Sequence, residues 1–225
     1  MARQERAVRT RQAILEAAAE VFDELGYEAT TIAEILQRSG MTKGALYFHF
    51  ASKQELGLEV LRAQGGSVPL ACPKELKLQE AVDRALGLAY LLQTDPLLQG
   101  SVRLTVDQGS PNDGLDRRVP MQAWTNDTQD LFREAQAAGE LLPDLDLERV
   151  AKMFVGAMTG VQILSRTMAD RADLPERVSD LYRSLMPSIA VAGVLVRLDF
   201  TPNRGRQVSE EALRARHAAS EPVEC

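Results

Sequence analysis

The chain has 225 residues, 45% of them hydrophobic but only 5% aromatic, and carries a formal net charge of -6. That length suits one domain, or two of unequal size, around a sizeable apolar core. Cys72 and Cys225 are too few and too distant for a disulfide framework or metal cluster and are expected as free thiols; with no apolar run of about eighteen residues, and no hydrophobic signal segment in MARQERAVRTRQ, no membrane partner and a cytoplasmic location are expected.

The acidic total argues weakly against nucleic acid, but the charge is unevenly placed. Arg3, Arg6, Arg9 and Arg11 face a single acid, Glu5, in the first eleven residues, and no acid occurs from Ile35 to Gln54, where Arg38, Lys43 and Lys53 lie. A basic face on an acidic body is the arrangement a DNA reader needs.

In chain order, Ala7, Ile14, Leu15, Ala18, Val21, Phe22 and Leu25 recur at three- and four-residue spacing and predict an amphipathic helix that Gly26 stops. Thr31 with Glu34 forms a capping box opening a short helix to about Ser39, after which Gly40 turns the chain. Thr42 can cap another short helix, and Ser52 with Glu55 opens a longer one toward Gln64. Gly65, Gly66, Pro69 and Pro73 mark a boundary. Beyond it helices are predicted over about 75–93, 96–107, 120–138, 146–168 and 175–198, with Pro187 kinking or splitting the last near Met186. Residues 108–118 read as a loop, and 201–225 as a charged, aromatic-free tail expected without order. The expected class is all-α: residues 1–52 form a helix-turn-helix domain, 53–200 a larger helical domain, and 201–225 the tail.

The segment TKGALYFHF concentrates aromatic residues in a helix too short to stand alone. Ala45, Leu46, Phe48 and Phe50 are expected to clamp it to the preceding helix, leaving Thr42, Lys43, Gly44 and Tyr47 outside. Lys43 can reach guanine O6 and N7, Tyr47 and His49 can reach phosphate or sugar, and Gly44 lets the backbone approach closely. The start of the Ser52 helix, with Lys53 beside it, offers a further phosphate site.

The run TTIAEILQRSGMTKGALYFHFASKQEL resembles the DNA-binding signature of the TetR family of bacterial repressors, in which a lysine-glycine-x-leucine-tyrosine-x-x-phenylalanine pattern ends the helix-turn-helix. The resemblance spans about Arg6 to Leu61, with Leu36 standing where many members carry alanine. It implies operator contacts from Thr42, Lys43, Gly44, Tyr47, His49 and Lys53, with Thr31 and the arginine arm in support. VRLTVDQ and LDRRVPMQAW are further similar to the γ-butyrolactone autoregulator receptors within that family. In that branch a tryptophan after the paired arginines lines the ligand pocket, and Trp124 matches it.

A lactone needs a mostly apolar pocket with few polar groups. Trp124 can stack on the ring, Thr159 and Gln162 share one face of an apolar helix, and Gln64 ends the connecting helix. The wide apolar faces of 146–168 and 175–198, SIAVAGVLV in particular, suit a homodimer, which would address a near-palindromic double-stranded operator. The implied protein is a repressor released by a butanolide or butenolide. A TetR-type efflux repressor sensing hydrophobic drugs and a ligand-blind pseudo-receptor remain open. With two histidines, no phosphate-binding glycine loop and no metal-ligand spacing, no catalysis, cofactor or metal is expected.

Overall fold

The computed structural model describes residues 2–63, 74–107, 109 and 113–220. Helices are α1 (Ala2–Ala29), α2 (Ile32–Ser39), α3 (Lys43–His49), α4 (Lys53–Arg62), α5 (Lys77–Thr94), α6 (Pro96–Val106), α7 (Arg118–Ala137), α8 (Leu147–Ala169), α9 (Leu174–Leu185), α10 (Ala192–Leu195) and α11 (Arg204–Ser220). Among the described residues the sole β feature is an isolated antiparallel bridge between Leu141 and Ala190. The all-α class expected from the sequence is what the chain adopts. Cys72, Cys225 and the boundary at 65–73 lie outside the described residues.

Two compact units result: Met1–Ser67 with Thr94–Met121, and Val68–Gln93 with Gln122–Cys225. Compactness therefore divides the chain differently from the expected cuts at 52/53 and 200/201. In the first unit Leu56, Val60 and Leu61 of α4 share one core with Ile14, Phe22, Ile35, Leu46 and Phe50, so a cut before α4 would open that core. Leu104 and Leu115 join it from later in the chain. Helix α6 lies so close to α1 that a Cβ on Gly100 would come within 2.3 Å of the Ala19 carbonyl oxygen. Gly26, with φ 76°, breaks α1 near its end, as the sequence anticipated, although helical residues resume to Ala29.

The segment before α7, expected as a plain loop, is tied into the first unit. Leu115 is buried, Arg117 Nε donates to the Leu104 carbonyl at 2.9 Å, and the same guanidinium pairs with Asp113 at 2.7 Å. That guanidinium holds the Asp113 carboxyl below the usual range.

The second unit centres on Phe132, Phe154 and Tyr182, whose rings meet edge to face at 5.2 and 5.4 Å. The Glu140 carboxylate accepts the N–H groups of Lys77 and Leu78, both at 2.8 Å, capping α5 from a distant part of the sequence. Pro187 splits the last long predicted helix: α9 ends at Leu185 and a 3₁₀ turn covers Met186–Ser188. Of the helix expected over 189–198, only the short α10 (Ala192–Leu195) forms. Residues 189–191 instead pair with 140–142, through Leu142 N–H to Ile189 carbonyl at 2.7 Å and Val191 N–H to Glu140 carbonyl at 3.0 Å.

The tail expected to be disordered is also corrected, because α11 occupies 204–220. Gly205 lies against the Leu86 carbonyl, and Val208, Ser209 and Ala212 are buried. Its small apolar stripe is inconspicuous among charged residues. The Arg204 guanidinium grips the fully buried Asp83 carboxylate at both oxygens and also pairs with Asp199 at 3.2 Å.

Candidate functional site

Local chemistry fixes the α2–turn–α3 segment at each joint. Thr31 Oγ1 accepts the Glu34 N–H at 3.3 Å while Glu34 Oε2 accepts the Thr31 N–H at 2.7 Å, completing the predicted capping box. Gly40 adopts φ 66° and donates to the Leu36 carbonyl at 3.0 Å. Thr42 Oγ1 then accepts the Ala45 N–H at 3.2 Å. Ser52 caps α4 at 3.1 Å from the Glu55 N–H, whereas Glu55 reaches back to the Ala51 N–H at 2.6 Å, one residue beyond the expected box.

Helix α3 is seven residues long and turns Leu46 inward, with Phe50 buried at its end. Lys43, Gly44 and Tyr47 face outward, and the Lys43 ammonium stands 5.9 Å from the Tyr47 ring centroid. Phe48 was expected in the clamp and is instead 80% exposed. At about 100° per residue it falls almost opposite Leu46 and cannot share the buried face. His49 is half-buried, edge-on to Phe48 at 5.0 Å. The clamp gains a member the sequence did not signal: the Arg11 guanidinium lies 5.0 Å over the Phe50 ring and pairs with Glu59 of α4. Hydrogen bonds from Arg62 and Arg11 keep the Glu59 carboxyl below its ordinary value.

Two basic residues are drawn away from the outer face. Arg38 is held by Glu20 at 3.0 Å and Glu24 at 2.7 Å. Lys53 was expected at phosphate; its ammonium donates to the Thr30 carbonyl at 2.7 Å and the Glu28 carbonyl at 3.3 Å and sits 4.4 Å over the Tyr27 ring. Burial lowers its affinity for the proton, and the side chain joins the end of α1 to the start of α4. Arg6 and Arg9 are exposed on α1.

The residues expected around an effector lie in the second unit, apart from Gln64, which lies outside the described residues. Trp124 is half-buried on α7. Thr159 spends its proton on the Val155 carbonyl at 2.8 Å, leaving its oxygen as an acceptor. Gln162 is 7% exposed, and its buried Oε1 has no hydrogen-bond partner among the described residues. A buried carbonyl left so is costly, by roughly 1–3 kcal/mol, and marks a place for a donor. An open groove on the first unit, lined by Val21, Glu24, Leu25, Glu34, Gln37 and Arg38, shares no residue with this group.

Two capped helices crossing at a left-handed glycine, with the second presenting lysine, glycine and tyrosine outward from a helical core, define a helix-turn-helix DNA-binding regulator. Bacterial regulatory proteins of the tetR family match at residues 14–60, and the tetracyclin repressor-like C-terminal domain matches at 107–179. The chain belongs to the TetR family. It is 35% identical over 228 residues to the A-factor receptor protein of Streptomyces griseus, covering 97% of this chain and 80% of that one. Among solved structures it is similar to full-length native TylP, a TetR regulator from Streptomyces fradiae, at 59% identity and TM-score 0.83, covering 93% of this chain and 100% of that one. A γ-butyrolactone receptor described as ArpA-like matches at 27% identity and TM-score 0.73, over 92% and 99% of the two chains.

No described helix is long and apolar enough to cross a membrane.

Proposed function

We propose that this chain is a cytoplasmic, homodimeric repressor without enzymatic activity, which holds a near-palindromic operator through α3 and releases it when a γ-butyrolactone-like molecule binds the second unit. The observation that carries the reading is the outward face of α3, where Thr42 and Gly44 admit close backbone approach while Lys43, Tyr47 and the edge of His49 reach bases and phosphates. Thr31, exposed at the start of α2, adds a backbone contact. The likeness to receptors for A-factor and γ-butyrolactones supports the effector class.

Within the second unit, Trp124 supplies an aromatic face and Gln162 Oε1 an acceptor for a ligand hydroxyl, with Thr159 adding a further polar contact. Release requires the ligand to prefer the arrangement that cannot bind DNA. Pairing of two copies is supported by the solvent side of α8, where Met153, Ile163, Leu164 and Met168 are exposed beside Gly156 and Gly160, two open positions four residues apart. A Leu164→Glu substitution there is expected to shift the dimer to monomer in analytical ultracentrifugation.

The test is capture of genomic fragments by the purified protein, followed by addition of synthetic butanolides, butenolides or hydrophobic drugs. Release by lactones at submicromolar concentration supports the reading. Release by drugs alone makes it an efflux repressor, and release by neither makes it ligand-blind.

A further inference from the structure

Helix α3 carries three strips. Leu46 forms the buried one, with Phe50 buried just past the end of the helix. Lys43 and Tyr47, four residues apart, form a polar one. Gly44 and Phe48, also four apart, form the third, which lies about 180° from the buried strip and is therefore the outermost line of the helix. A side chain at Gly44 would meet no atom within 4 Å, so nothing screens Phe48 from the side on which the helix approaches its target.

Phe48 is thus a large apolar ring at the leading edge of a reading helix, 80% in solvent. Its ring is propped edge to face by His49 at 5.0 Å with an interplanar angle of 83°. Phenylalanine has no donor or acceptor, so it can bond neither phosphate nor the polar edge of a base. The apolar group that the major groove displays is the C5-methyl of thymine. Lys43 beside it supplies the positive charge that draws the same face onto the duplex.

We propose that Phe48 reads thymine, packing its ring on the C5-methyl of one or two thymines in each operator half-site, and so adds a sequence preference of its own to the base and phosphate contacts of Lys43 and Tyr47. This rests on the operator-binding reading above. The test uses the full-length protein and a duplex that it selects from a random-sequence library. Each thymine is replaced singly by deoxyuridine, which removes the methyl and keeps every hydrogen-bonding group. For the wild-type protein one or two substitutions per half-site are expected to weaken binding about fourfold each, the transfer value of one methyl-sized group converted at tenfold per ~1.4 kcal/mol. The same substitutions are expected to leave binding by Phe48→Ala unchanged, while Phe48→Leu, which keeps an apolar side chain, retains part of the sensitivity. Because the ring is exposed, Phe48→Ala should melt as the wild-type protein does. Equal uracil sensitivity in wild type and Phe48→Ala overturns the assignment, as does wild-type affinity and base preference in Phe48→Ala. Recovery of no duplex at low salt overturns operator binding itself.

Discussion

Replacing Arg204 by methionine tests whether the last helix is an integral part of the second unit. The substitution keeps an unbranched apolar stem of similar reach up to Nε but removes the guanidinium that holds both oxygens of Asp83. Asp83 is 0% exposed, and only the Gln79 amide, at 2.7 Å, would then remain of its described partners. Breaking a buried pair by removing one member costs roughly 3–5 kcal/mol, because the surviving charge stays desolvated. At about 2–4 °C per kcal/mol for a chain of this size, thermal melting should fall by roughly 6–20 °C. Adding Asp83→Leu removes the stranded charge and should recover most of the loss, since an apolar pair in the same space is often neutral. Differential scanning calorimetry of the single and double variants measures both. A single variant melting within about 2 °C of the parent would show that residues 204–220 are not docked through this pair and that the helix is a loose appendage.

Further outcomes are expected. Lys43→Ala and Tyr47→Ala should weaken operator binding by roughly 1–3 kcal/mol each with unchanged melting, since both side chains are largely exposed; gel mobility shifts at wild-type strength would refute the contact assignment. Gln162→Met, nearly equal in volume, should leave stability unchanged or raise it by about 1 kcal/mol while abolishing ligand release, read by parallel melting and release assays. Trp124→Ala should likewise block release and spare DNA binding, and lactone-driven release from it would misplace the pocket. The Glu59 carboxyl is held below its ordinary value, so its stabilisation is present above the ordinary glutamate range and lost as the pH falls below it through the folded-state value. Glu59→Gln should therefore lose less stability than the parent between neutral pH and about pH 3 in urea titrations.

The helix boundaries of the reading motif were legible because each is written in two or three neighbouring residues: Thr31 with Glu34, Gly40, Thr42 and Ser52 all cap or turn where their chemistry predicts. Pro187 was legible as a break for the same reason. What followed the break was not, since the pairing of 189–191 with 140–142 depends on a partner far away in the chain. Phe48 is exposed because its angular position, almost opposite Leu46, outweighs the burial its hydrophobicity suggests. Lys53 and Arg11 carried charge that suited DNA, but carbonyls at the end of α1 and Glu59 claimed it, and neither partner is adjacent in sequence. The docking of Leu115 and of α11 depends on small or isolated apolar residues inside polar stretches, where a periodic signal is too weak to stand out.

The near-contact of Gly100 with the main chain at Ala19 has an evolutionary consequence. Even a methyl group there would pry apart two backbones, so a library randomised at this codon and screened for promoter silencing should return glycine almost without exception. A historical record of divergence in such regulators would therefore show glycine held fixed where these two helices cross.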